Sequence, residues 1–214
     1  MLAGMSIAEL LWLVAPPLCW GCADAVRGGG PICRRCRAEL RWLDTTPVEA
    51  GGVRAWAPLA YDGPARALVG GLKFKGAAGL ADSLAAAIAA GAPAGWLEAP
   101  AELVPVPVHP ARRRRRGFNQ AERLARALSK RTGLRVTDCL RRSGSTATQV
   151  GRGRAERVAG VPGQIAPAGP PPPRALLVDD VITTGATLSA CATALLAHGC
   201  GEVAGLAYAR TLGR

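Results

Sequence analysis

The sequence predicts an α/β domain with a mainly parallel sheet flanked by helices, preceded by a small module built on four cysteines. Three observations carry this reading. Two Cys-x-x-Cys pairs, Cys19/Cys22 and Cys33/Cys36, lie ten residues apart. From Val53 onward, short apolar runs alternate with helical patterns. One of those runs, Ala175 to Val178, passes directly into two aspartates and a Thr/Gly loop. The boundary is placed at residue 50, giving an N-terminal helix and double knuckle over 1–50 and the α/β domain over 51–214.

The chain has 214 residues, of which 49% are apolar, so it can bury a sizeable core. Near the N-terminus the longest apolar run, Leu10 to Leu18, has nine residues and contains two prolines. A membrane span needs about 20. The start also lacks the basic region of a secretory signal. A cytoplasmic protein without membrane insertion is expected.

Residues 1–18 read as a short helix. Ser6 and Glu9 have capping-box spacing, and Ile7, Leu10, Leu11 and Val14 recur at helical intervals. The cysteine cluster follows, with a small helix through Leu40. Val53 to Tyr61 reads as a strand; Pro64 to Gly70 and Leu80 to Ala90 read as helices on either side of a Gly/Lys turn. Leu103 to Val108 is apolar and β-branched, and its prolines mark the end or edge of a strand. The arginine run after it reads as a basic loop. Asn119 and Glu122 cap a helix with an apolar stripe of Ala121, Leu124, Ala125 and Leu128. Arg141 to Arg157 reads as a glycine-rich basic loop, and Val161 to Arg174 as a proline connector. A buried strand over Ala175 to Val178, a helix to about Ala197 and a strand over Glu202 to Tyr208 complete the pattern.

Charge is concentrated. Between Arg112 and Arg157 fourteen arginines and one lysine face only Glu122, Asp138 and Glu156, which accounts for the whole formal charge of +12. Such a segment calls for an anionic partner. The chain has 24 arginines and only three lysines, so part of this excess is compositional.

Each Cys-x-x-Cys knuckle turns two thiolates toward one point, and four thiolates complete a tetrahedral zinc site with no open position. Iron on four thiolates has the same donor set. A redox pair would need only one of the two knuckles. Cys139, Cys191 and Cys200 are single and read as small buried residues.

The string Leu176-Leu-Val-Asp-Asp-Val-Ile-Thr-Thr-Gly-Ala-Thr187 joins a strand, two carboxylates and a helix N-terminus. Amides and hydroxyls of Thr183, Thr184, Gly185, Ala186 and Thr187 can cradle a phosphate at the positive end of the helix. Asp179 and Asp180 would repel that phosphate unless they bind another part of the same ligand, such as ribose hydroxyls or a metal ion beside them. The plainer alternative is a strand end followed by an ordinary helix cap.

This string resembles the 5-phosphoribosyl-1-pyrophosphate (PRPP) motif of type I phosphoribosyltransferases. The paired knuckles, Tyr61-Asp-Gly-Pro, Leu72-Lys-Phe-Lys, Pro105-Val-Pro-Val-His-Pro, Arg116-Gly-Phe-Asn-Gln120, Thr146-x-x-Gln149 and Glu156-Arg157 follow the ComF family in order and spacing. Over nearly its whole length the chain therefore resembles these phosphoribosyltransferase-like proteins, which are associated with competence and DNA uptake. The resemblance implies that Asp179 and Asp180 face the ribose hydroxyls and that Thr183 to Thr187 hold the 5′-phosphate, with Val178 and Val181 in the same PRPP-binding string. Arg116, Gly117, Asn119 and Gln120 would lie near the pyrophosphate, with Lys73 and Lys75 as further candidates. Mg²⁺ would accompany PRPP, and Asp179, Asp180 and Arg116 would form the catalytic set. The acceptor is not readable. Where the family often has an asparagine after its Glu-Arg, this chain has Gly160. Two other functions fit the same residues: a PRPP-binding adaptor without turnover, with a DNA-uptake ATPase as partner, and a single-stranded DNA-binding protein.

Overall fold

A computed structural model of the chain describes residues 17–26, 30–74, 79–143 and 165–213. Residues 1–16 of the helix expected over 1–18, together with Lys75, Thr146, Gln149, Glu156, Arg157 and Gly160, lie outside the described residues, and Pro17 and Leu18 are not helical.

The elements run α1 (Arg34–Ala38), β1 (Val48–Ala50), β2 (Val53–Trp56), β3 (Leu59–Ala60), α2 (Gly63–Leu72), α3 (Leu80–Gly91), β4 (Ala101–Pro105), α4 (Pro110–Arg116) and α5 (Gln120–Thr132). They continue with β5 (Leu140–Arg142), β6 (Ile165–Pro167), β7 (Arg174–Ile182), α6 (Ala186–Leu196) and β8 (Glu202–Arg210). The main sheet has the order β1-β2-β8-β7-β4, and β3 continues alongside β8. Only β1 is antiparallel to its neighbour; β2, β3, β7 and β4 all pair in parallel. β4 is an edge strand of the sheet and ends on Pro105.

Helices cover both faces, so the central strand is apolar on both sides. From β7, Leu176 and Val178 join a core with α2, α3 and α5, whose buried stripe contains Leu124, Ala125 and Leu128. Ala175 and Leu177 face the opposite way, against Leu188, Cys191 and Leu195 of α6. Cys19, Val26, Ile32 and Cys36 belong to the first of these cores, so the cysteine module and the sheet share one apolar interior.

Several elements differ from the sequence expectation. The arginine run is a helix, not a loop: Pro110 occupies its first turn, His109 Nδ1 accepts from the Ala111 amide, and Gly117 ends it at φ +79°. Arginine is a good helix former, and the run's charge conceals this. The strand expected over Val53 to Tyr61 breaks at Ala57 and Pro58 into β2 and β3. Arg141 and Arg142, read as loop, and Ile165 to Pro167, read as connector, pair as an antiparallel ribbon. β7 runs four residues beyond Val178 and carries both aspartates inside the strand. Among the described residues no helix is long and apolar enough to cross a membrane.

Candidate functional site

The cysteine module folds around its own sulfurs. The four Sγ atoms of Cys19, Cys22, Cys33 and Cys36 lie within 4.8 Å of one another. Cys22 and Cys33 are 3.6 Å apart, close to the roughly 3.8 Å expected between thiolates on one tetrahedral zinc. The amides of Gly21 and Cys33 donate to Cys19 Sγ at 3.3 and 3.2 Å. Burial raises the Cys19 pKa, but the amides of Cys33, Cys22 and Gly21 outweigh it and bring the thiol down to about 6. Burial and the neighbouring thiols push Cys36 up. A Cβ on Gly21 would stand 2.8 Å from Cys36 Sγ, so the turn requires glycine. The donor set and spacing fit a four-thiolate zinc ion.

The second cluster forms at the C-terminal end of β7. Asp180 is 6% exposed. Lys73 follows directly on α2, and its Nζ lies 3.0 Å from Asp180 Oδ2. The contact is an ion pair off the hydrogen-bonding line, since that oxygen receives no hydrogen bond. Arg116 is the last residue of α4. Burial lowers its pKa, and the Asp180 charge works against that shift. Its Nη1 donates to Gln120 Oε1 at 3.1 Å. Asp179 Oδ1 accepts from the Asp180 amide at 2.8 Å. Burial raises the Asp179 carboxyl well above its usual range and the Asp180 charge adds to this, while the Asp180 amide and Lys73 oppose it.

The chain then turns into α6. Gly185 sits at φ +77°, and a Cβ there would lie 2.2 Å from the carbonyl carbon of Ala50. Only glycine lets this turn pass beneath the β1–β2 corner. No side chain caps α6, and its first turn holds no acid. Thr183 and Thr184 are exposed at this end, with the Ala186 amide donating to Thr184 Oγ1 at 3.4 Å. Amides and hydroxyls at an uncapped helix start can receive an anion.

Of the residues singled out in the sequence, the structure brings together Asp180, Lys73, Arg116 and Gln120 beside Asp179 and the Thr183–Thr187 turn. Val178 is core, Val181 is half-buried, and Gly117 terminates α4. Asn119 is buried and doubly engaged: its Nδ2 donates to the Val106 carbonyl, and its Oδ1 accepts from the Ala121 amide, both at 3.0 Å. That makes it the cap of α5, as its spacing to Glu122 suggested. The β1–β2 corner under Gly185 had no signal in the sequence, because it joins residues more than a hundred positions apart; Lys73 was placed near the site only by the family resemblance.

A groove of about 790 Å³ runs along the outer face of α6 from Thr184 and Thr187 to His198, walled by Arg142 and Ile165. Asp179, Asp180, Lys73 and Arg116 do not line it.

No family model matches the chain. It is 28% identical over 207 residues to Competence protein F of Haemophilus influenzae, an alignment covering 87% of each protein. The chain is thus similar to a competence protein across most of its length, and with its four-cysteine cluster this bears out the resemblance to the ComF family.

Proposed function

We propose that the chain binds PRPP at the end of β7 and transfers its phosphoribosyl group to an acceptor with release of pyrophosphate, in a process tied to DNA uptake. The carrying observation is the convergence of Lys73 and Arg116 on Asp180 where the strand opens into the uncapped start of α6. In this reading the first-turn amides and hydroxyls of Thr183 to Thr187 take the 5′-phosphate, and Asp179 and Asp180 take the ribose hydroxyls. Arg116 and Lys73 face the pyrophosphate. The C1–O bond to pyrophosphate breaks, a lone pair of the acceptor closes the new bond to C1, and the cations stabilise the charge on the leaving group. Carboxylates beside phosphate oxygens are the hard donors Mg²⁺ takes, and a bound Mg²⁺ would neutralise part of the pyrophosphate charge. The link to DNA uptake rests on the similarity to a competence protein.

A single-stranded DNA surface is the second reading, favoured by the exposed Arg112 to Arg115 on α4. Phe118 weakens it. The Arg123 guanidinium lies 3.5 Å from its ring centroid, so this aromatic already has a stacking partner.

Calorimetric titration with PRPP, with and without Mg²⁺, tests the proposal. Mg²⁺-dependent binding that Asp180→Asn abolishes is expected, followed by pyrophosphate release with the right acceptor. No binding at millimolar PRPP would overturn it. Binding without pyrophosphate release across an acceptor screen would leave the adaptor role instead.

A further inference from the structure

A second cavity, of about 370 Å³, lies at the seam between the cysteine module and the helical face of the sheet, lined among others by Ile32, Arg37, Trp42, Leu68, Ala87 and Tyr208. That volume lies within the range of small-molecule sites. Its lining is mostly apolar, with Ser83, Arg37 and Tyr208 as the polar side chains, and the last two set a chemistry. Tyr208 on β8 is 2% exposed, yet among the described residues its hydroxyl has no hydrogen-bond partner. Burial alone raises its pKa, so at neutral pH it remains an O–H donor on the cavity lining. Arg37 stands at the outer end, exposed and without a carboxylate partner among the described residues. Trp42 is 58% exposed over the same cavity, although its backbone is bridged to Leu59.

We propose that this cavity binds a small, flat organic anion: an apolar ring system with a neutral hydrogen-bond acceptor at its inner end and an acidic group at its outer end. The acceptor takes the Tyr208 proton, the ring packs between Trp42 and the Leu68–Ala87 wall, and the acid pairs with Arg37. Burying the acid itself at Tyr208 is excluded by the cost of an unpaired charge in an apolar cavity. The site is separate from the strand-end cluster and does not rest on the phosphoribosyl reading.

The test is a fluorescence-anisotropy titration of the full-length, zinc-loaded protein with 7-methoxycoumarin-4-acetate. This probe carries a lactone carbonyl and a carboxylate on a bicyclic ring, and it accepts excitation energy from a nearby tryptophan. Saturable one-site binding is expected. Tyr208→Phe, which deletes a single oxygen, should weaken it about fivefold to tenfold. Arg37→Gln should weaken it severalfold and flatten its salt dependence. Trp42→Phe should cut the energy transfer while leaving the thermal midpoint in place. Unsaturable binding, or equal affinity in the Tyr208→Phe and Arg37→Gln proteins, would show adsorption of an anion to a basic protein and overturn the proposal.

Discussion

The four-cysteine module and the strand-end cluster are assembled in opposite ways. The module draws its donors from eighteen consecutive residues, Cys19 to Cys36, and local turns alone bring four sulfurs within 4.8 Å. The strand-end cluster draws Lys73, Arg116, Asp180 and Gly185 from separate elements, and only the finished sheet brings them together. The first therefore suits a metal ion that its four thiolates could bind, and the second depends on the fold. A perturbation of one should leave the other standing.

Metal removal should have the largest effect. Structural zinc contributes on the order of 10 kcal/mol to the folding of such modules. Chelation is expected to abolish amide-exchange protection over residues 17–40 while β7, β8 and α6 stay protected. Some transmission is built in. A Cβ on Gly71 would stand 2.6 Å from Trp20, so the module rests on α2 two residues before Lys73. PRPP affinity should thus fall modestly without disappearing. Loss of protection across β7 and β8 in the same transition would show one cooperative unit and end the division at residue 50.

The same contrast explains what could be read from the sequence. The cysteine spacing and the Leu176–Thr187 string are local, and each predicts its geometry from a few consecutive residues. The period-2 alternation of Leu176 and Val178 against Ala175 and Leu177 was hidden, because a strand buried on both faces is apolar throughout. The helix α4 was hidden by composition, since five arginines suggest a solvated loop until His109, Pro110 and Gly117 are read as its caps. The Lys73–Asp180 pair and the β1–β2 corner depend on chain crossings that no short window contains. The seam cavity was invisible for that reason too: Tyr208 carries no motif, and only the packing of α2, α3 and the module leaves its hydroxyl unpaired.

An intermediate effect is expected at Gly185, where the cluster leans on the sheet most directly. Gly185→Ala combines a left-handed backbone with a Cβ only 2.2 Å from the Ala50 carbonyl carbon, and backbone cannot move aside as a flexible side chain can. A destabilisation of about 3 kcal/mol should follow, lowering the thermal midpoint by roughly 6–12 °C with zinc still bound. Exchange protection should fall at β1 and the start of α6, not in the module. An unchanged midpoint would mean that the β1–β2 corner shifts freely and that its contact with the turn does not hold the anion-facing amides.

The smallest effect separates function from stability within the cluster itself. The Asp179 carboxyl is held above its ordinary range by burial and by the Asp180 charge. An unfolded aspartate titrates near about 3.9. Between that value and the raised one the folded chain binds more protons than the unfolded chain, so stability falls as pH rises through this window. Above the unfolded value, the buried carboxyl is therefore a net cost to the fold. Asp179→Asn removes the charge and keeps a side-chain oxygen to accept from the Asp180 amide. The variant should therefore melt higher than the parent at pH 7, and the gain should shrink as pH falls below about 3.9, where the parent carboxyl becomes protonated in both states. PRPP binding should be lost in the same protein. A lower midpoint at pH 7 would show instead that the charge supports the fold through Lys73, and the carboxylate would then be structural before it is functional.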